Sequence, residues 1–159
     1  MRPTDISGDM TPVSHVVDHC VEWLREHDVA PMYTCLVFCN AFIQADDIAR
    51  GWELLAVNKC ANSFSVTEYC HPIERALHYG DNDLVKMYHP EHRYTRTQDC
   101  DKSIYDAGQF YWSDVIKYSS QENNKDLWAD ATSVMIPRER NVDIDNPQDW
   151  AVSASVQNL

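Results

Sequence analysis

The stretch Tyr105-Asp106-Ala107-Gly108-Gln109-Phe110-Tyr111-Trp112 decides how this chain is read. Aromatic residues favour a pleated, half-buried surface, so it reads as a β-strand. The Ala107-Gly108 interruption marks a point where a ligand or another backbone is expected to come close. Working outward, Tyr33–Cys39 (YTCLVFC) is a continuous apolar run, as expected of a strand buried on both faces. Ser63–Thr67, Leu84–Tyr88 and Thr132–Ile136 supply further short strands. Helices fall between them. Thr11 and Pro12 give a cap and a first-turn proline, and Val13, Val16, Val17, Cys20, Val21 and Leu24 recur at helical spacing up to Glu26–Asp28. Asp46 and Asp47 open a second helix, at the end where negative charge is favoured, with Ile48, Trp52, Leu55 and Ala56 as its apolar face. Pro72–His78 reads as a loop or short helical turn. Two short helices are expected around 113–118 and 124–130, and a last one from Pro147 to about Val156. Strands alternating with helices predict a single α/β domain over residues 1–159, layered around a mostly parallel sheet.

Of the 159 residues, 13 are basic and 25 acidic, a formal net charge of −12. A chain this acidic lacks the basic patch that phosphate backbones require, which argues against nucleic acid or anionic membrane as partner. No apolar run approaches the length of a membrane span, and the first residues have no signal-peptide pattern. Six cysteines (20, 35, 39, 60, 70 and 100) make no C-x-x-C pair. Cys35 and Cys39 fall on one side of the first predicted strand. All six are expected to be small buried hydrophobes in a reducing cytoplasm. The histidines are expected in scattered surface or hydrogen-bonded roles.

A second informative stretch, Pro137-Arg138-Glu139-Arg140-Asn141-Val142-Asp143-Ile144-Asp145-Asn146-Pro147, ends in an Asp-x-Asp pair. Such carboxylates are hard oxygen ligands suited to Mg²⁺ beside a phosphate. Asp145-Asn146-Pro147 equally suits a helix cap, since Asp and Asn are favoured caps and proline fits the first turn. Together with Arg2–Pro12, Phe42–Ile48, Phe64–Thr67, Pro72–Leu77 and Pro90–Asp99 in order, these stretches resemble the sugar-acid cytidylyltransferases, most closely those acting on pseudaminic acid.

The resemblance implies a nucleotide-diphospho-sugar-transferase-like, Rossmann-like three-layer fold. In those enzymes the anomeric hydroxyl of a nine-carbon sugar acid attacks the α-phosphate of CTP, and Mg²⁺ assists the loss of pyrophosphate. Positioning and charge neutralisation carry most of such a reaction. Carried over residue by residue, Asp143 and Asp145 would hold the metal. Arg75, Arg96, Gln98 and Gln109 would line the sugar-acid pocket, with Asp106 and Tyr111 on the strand beneath it. Arg75 and Arg96 can equally be ordinary surface charges, and Phe110, Tyr111 and Trp112 ordinary core packing.

The chain departs from the family in two places. No counterpart of the opening Gly-rich, basic loop that wraps the CTP phosphates is found, and Cys39-Asn40-Ala41 stands where the family has Thr-Ala-Pro. The expectation is therefore a truncated domain matching the family's C-terminal two-thirds, keeping a sugar-acid or metal pocket without autonomous catalysis. Its rivals are an enzyme completed by a second chain carrying the phosphate loop, and a non-catalytic oligomeric binding or scaffold protein. Loss of the neighbouring strand would leave Tyr33–Cys39 as an apolar edge, which predicts a homodimer, or an oligomer of dimers, with that strand or helix 11–26 in the interface.

Overall fold

The computed structural model describes residues 2–120, 127–144 and 146–156. Within them the helices are α1 (Val13–Glu26), α2 (Ala45–Asn58), α3 (Val115–Ser119) and α4 (Pro147–Val156). The strands are β1 (Tyr33–Val37), β2 (Asn62–Glu68), β3 (Leu77–Tyr79), β4 (Val85–Met87), β5 (Ile104–Asp114) and β6 (Ala131–Met135). Most agree with the elements read from the sequence, but Leu77–Tyr79 is a strand where Pro72–His78 was expected to be a loop or short helical turn. The expected helix at 124–130 is an exception: residues 127–130 form a turn, and the rest lies outside the described residues.

The chain gathers into two compact units, one from Met1–Ser65 and Gly108–Val134, the other from Val66–Ala107 and Met135–Leu159. A four-stranded sheet has the order β1-β5-β2-β6. The fold is mixed α/β, but at β1 the expected parallel pairing fails: β1 runs antiparallel to β5, with Tyr33 opposite Asp114 and Val37 opposite Phe110. The physical reason is topological. A helix between strands predicts parallel neighbours only if the strands it joins lie side by side. Here β5, reached after the long excursion of residues 69–103, sits between β1 and β2. In the second unit β3 and β4 form a separate antiparallel ribbon, with Leu77 opposite Met87.

The first unit is layered because successive side chains of a strand point to opposite faces. On one face, Phe110 and Trp112 of β5 press against Gly51 of α2, where an added Cβ would lie 2.6 Å from Phe110 Cε2. Trp112 Nε1 donates to the Ile48 carbonyl at 2.8 Å, and Trp52 packs its ring against both Tyr33 and Trp112. On the other face, Leu36, Phe38 and Tyr111 join Val13 and Val17 of α1 and Tyr118 of α3 around an apolar cavity of about 170 Å³. Phe110 is fully buried, with Leu55, Phe64, Val115 and Val134 around the same core. Asp114 caps α3, accepting the Ile116 and Lys117 N–H groups at 3.0 Å each.

Two expectations change. Tyr33–Cys39 is not buried on both faces: β1 ends at Val37, none of its residues is fully buried, and it forms an edge of the sheet. Gly108 does not mark a close approach either, since nothing lies within 4 Å of where its Cβ would be. Its φ of +66° explains it instead, a left-handed conformation in the middle of β5. A side chain in that conformation costs roughly 1–2 kcal/mol, so Gly108→Ala is expected to lower the urea-unfolding midpoint by that equivalent. An unchanged midpoint would show that the strand takes up an ordinary extended backbone there.

Candidate functional site

In the second unit, the end of β2 and two loops enclose a cavity of about 310 Å³, walled by Glu68–Pro72, Thr97, Gln98, Cys100–Ser103 and Arg138. The loops are held in place from the backbone outward. The Tyr69 N–H donates to the Ser103 carbonyl at 3.0 Å, and the Tyr69 and Tyr105 rings pack at 4.7 Å. Thr97–Asp99 and Arg138–Arg140 are single 3₁₀ turns that aim Gln98 and Arg138 at the cavity.

The charges here differ in what they are bonded to. Lys102 Nζ is held by Glu68 Oε1 at 3.0 Å. Arg96 forks onto Asp99, Nε to Oδ2 at 2.6 Å and Nη2 to Oδ1 at 3.0 Å. Arg75 Nη1 donates to the carbonyls of His92, Arg93 and Thr95 at 3.2–3.4 Å. The side chains of Arg138 and Gln98 have neither a hydrogen bond nor an ion pair to any described residue, although the Arg138 carbonyl accepts the Asn141 N–H at 3.0 Å. Arg138 thus brings an unengaged guanidinium to a cavity that an unengaged amide also lines, a combination that presents planar donors suited to a carboxylate.

Of the residues expected at a site, Gln98 lies in this cavity. Arg75 lines an adjoining hollow that shares Tyr69, His71, Pro72 and Thr97 with it. Arg96 is engaged by Asp99, and Asp106 is half-buried on β5 within the same unit. Gln109 and Tyr111 belong to the first unit. Gln109 is fully buried, its N–H donating to Ser65 Oγ at 3.0 Å, and Tyr111 packs between Phe38 and Phe64 beside the apolar cavity. Asp143 is exposed, and Asp145 lies outside the described residues. Asn146, next to it, caps α4 by accepting the Gln148 and Asp149 N–H groups at 2.9 and 3.1 Å. Among the described residues no three His, Cys, Asp or Glu side chains converge on a metal site. The described acids therefore do not by themselves make the Mg²⁺ site implied by the resemblance.

Arg138 was not among the residues singled out from the sequence. It stands in the quoted stretch 137–147, but an arginine in a Pro-Arg-Glu-Arg run looks the same whether solvated or aimed into a cavity. Burial pushes the Cys35 thiol up to about 11, and raises that of Cys60 with help from the nearby Asp130 carboxylate. Neither is a thiolate at neutral pH; all six cysteines are unpaired thiols, but against expectation none is fully buried, and Cys20, Cys39 and Cys70 are exposed.

No family model matches the chain. It is 27% identical over 151 residues to the pseudaminic acid cytidylyltransferase of Campylobacter jejuni subsp. jejuni serotype O:2. To the enzyme of the same name from serotype O:23/36 it is 26% identical over 151 residues. The chain is a partial relative of the sugar-acid cytidylyltransferases. Each alignment takes in 94% of this chain but 64% of the relative, so this cytidylyltransferase relative spans a little under two thirds of their length. No helix among its described residues is long and apolar enough to cross a membrane.

Proposed function

We propose that this chain binds a sugar acid, pseudaminic or a related nonulosonic acid, in the cavity of the second unit, and that these 159 residues alone do not transfer a cytidylyl group. One observation carries the reading: the unengaged Arg138 guanidinium and Gln98 amide share a 310 Å³ cavity in a chain similar to enzymes named for pseudaminic acid. Arg138 binds the carboxylate and Gln98 orients a hydroxyl, while Lys102 is held by Glu68 in the cavity wall. Arg75 and Arg96 stiffen the loops behind them. Asp106, Gln109 and Tyr111 belong to the strand that supports the site in the wider fold of the relatives, a nucleotide-diphospho-sugar-transferase-like one. Asp143 with Asp145 is the pair for a Mg²⁺ ion, which would neutralise phosphate charge when bound. The cytoplasm, where CTP and free thiols coexist, is the compartment such chemistry calls for.

The catalytic half of the proposal rests on glycine placement and charge. The four glycines (8, 51, 80 and 108) are isolated from one another, and none lies in a basic Gly-rich loop. Cradling a triphosphate takes clustered backbone N–H groups and cations, which these residues do not provide. Purified chain with CTP, Mg²⁺ and pseudaminic acid is expected to release no pyrophosphate above background. A protein-dependent release abolished by Asp143→Ala would refute this part of the reading.

We further propose a homodimer through β1. The Phe38 N–H donates to the Gln109 carbonyl at 2.9 Å, which continues the β1–β5 register and marks Leu36 and Thr34 as the residues bonded to β5. The N–H and C=O groups of Tyr33, Cys35 and Val37 therefore point away from β5. With Val37 47% and Phe38 38% exposed, this is an apolar edge of the kind that proteins cover. Two copies pairing antiparallel about Cys35 would satisfy both edges at once. Light scattering at micromolar concentration is expected to give twice the mass of one chain, and Val37→Lys to halve it. A wild-type monomer would contradict the interface.

A further inference from the structure

We propose that His15 and His19 form a two-imidazole chelate for a late first-row divalent cation (Ni²⁺, Cu²⁺ or Zn²⁺) on the outer flank of α1. The spacing His15-x-x-x-His19 already stands in the sequence on a predicted helix, so these two histidines depart from the scattered surface or hydrogen-bonded roles expected of them. α1 is continuous from Val13 to Glu26, so residues four apart stand one turn above each other. At that spacing Cβ atoms are about 5–6 Å apart, close enough for two rings to reach one ion at roughly 2.0–2.1 Å per nitrogen. The same i, i+4 placement underlies helical zinc sites with two histidines on one face.

Three further observations favour the pair. His15 is exposed, and His19 is half-buried at the rim of an open hollow that Arg2, Val16 and Trp23 also line, so an ion can reach both rings from that side. Among the described residues neither ring has a hydrogen bond, an ion pair or a ring contact, whereas His27 is held by the Trp23 carbonyl and His89 by Glu91. Glu22 and Glu26 continue the same stripe of the helix, are exposed, and add negative charge around a bound cation. No third His, Cys, Asp or Glu converges with the pair among the described residues, so water completes the coordination shell. Imidazole selects Zn²⁺, Cu²⁺ and Ni²⁺ over Mg²⁺ and Ca²⁺, which separates this site from any magnesium site for phosphate chemistry.

Calorimetric titration of the full chain with Ni²⁺ tests the assignment. One equivalent is expected to bind to the wild type. His15→Ala and His19→Ala are each expected to weaken that binding by at least about tenfold, since losing even an outer partner of a metal-bound histidine costs about 10–100-fold. His15→Ala combined with Glu22→His re-creates a histidine pair three residues apart and is expected to restore tight binding. All three positions lie on the outer flank of one helix, so circular dichroism should show an unchanged helix in each variant. Ni²⁺ binding that ignores both alanine variants, or that the re-created pair fails to restore, would overturn the proposal.

Discussion

Phe110→Ala is expected to lower the unfolding free energy by about 3–5 kcal/mol, the usual cost of truncating a fully buried phenylalanine. The ring has no exposed surface. On one side it fills the notch that Gly51 opens in α2, with the would-be Cβ only 2.6 Å from Cε2 and 3.2 Å from Cζ. That notch cannot close when the ring is removed, because a helix backbone does not shorten to follow a missing side chain. The Phe110 N–H also lies 3.4 Å from Ser65 Oγ, so the backbone around the deletion is held in place as well. A small domain has roughly 5–15 kcal/mol in total, so the variant should unfold at much lower urea. Tyr111→Ala, at a half-buried position beside an existing cavity, should cost clearly less. Equal losses at the two positions would show that the core is not centred on Phe110.

The second large effect separates two arginines that look alike in the sequence. Arg138→Ala is expected to weaken sugar-acid binding by about tenfold or more, since a charge-assisted hydrogen bond to a carboxylate contributes about 1.5–3 kcal/mol. Arg75→Ala should act on order instead. Its guanidinium draws together the carbonyls of His92, Arg93 and Thr95, so its loss should speed amide exchange and proteolysis across residues 90–97 while leaving affinity within about twofold. Arg138→Lys keeps the charge but loses the planar fork, and should recover only part of the affinity. If Arg75→Ala abolished binding while Arg138→Ala left it intact, the two roles would have to be exchanged.

These two arginines also show what could be read from the sequence and what could not. Helix α1, helix α2 and strand β5 were legible because apolar spacing reports directly on local periodicity. Gly108 was legible as special, but its left-handed φ was not, because the sequence does not separate a glycine kept for backbone conformation from one kept for room. The run YTCLVFC gave the strand but not its place at an edge, since burial depends on which neighbours arrive. Antiparallel pairing of β1 with β5 could not be read from alternation, because residues 69–103 carry the chain away before β5 returns between β1 and β2. The site was legible only in part. Gln98 lines the cavity, but the engagement of Arg75 and Arg96, and the unpartnered side chain of Arg138, depend on loops folding back over long stretches of chain.

The most direct test of the central claim is a calorimetric titration of the chain with pseudaminic acid, without CTP or Mg²⁺. Saturable one-to-one binding is expected, which a neutral hexose does not reproduce and which Arg138→Ala weakens. Absence of binding, or equal binding of the neutral sugar, would contradict it.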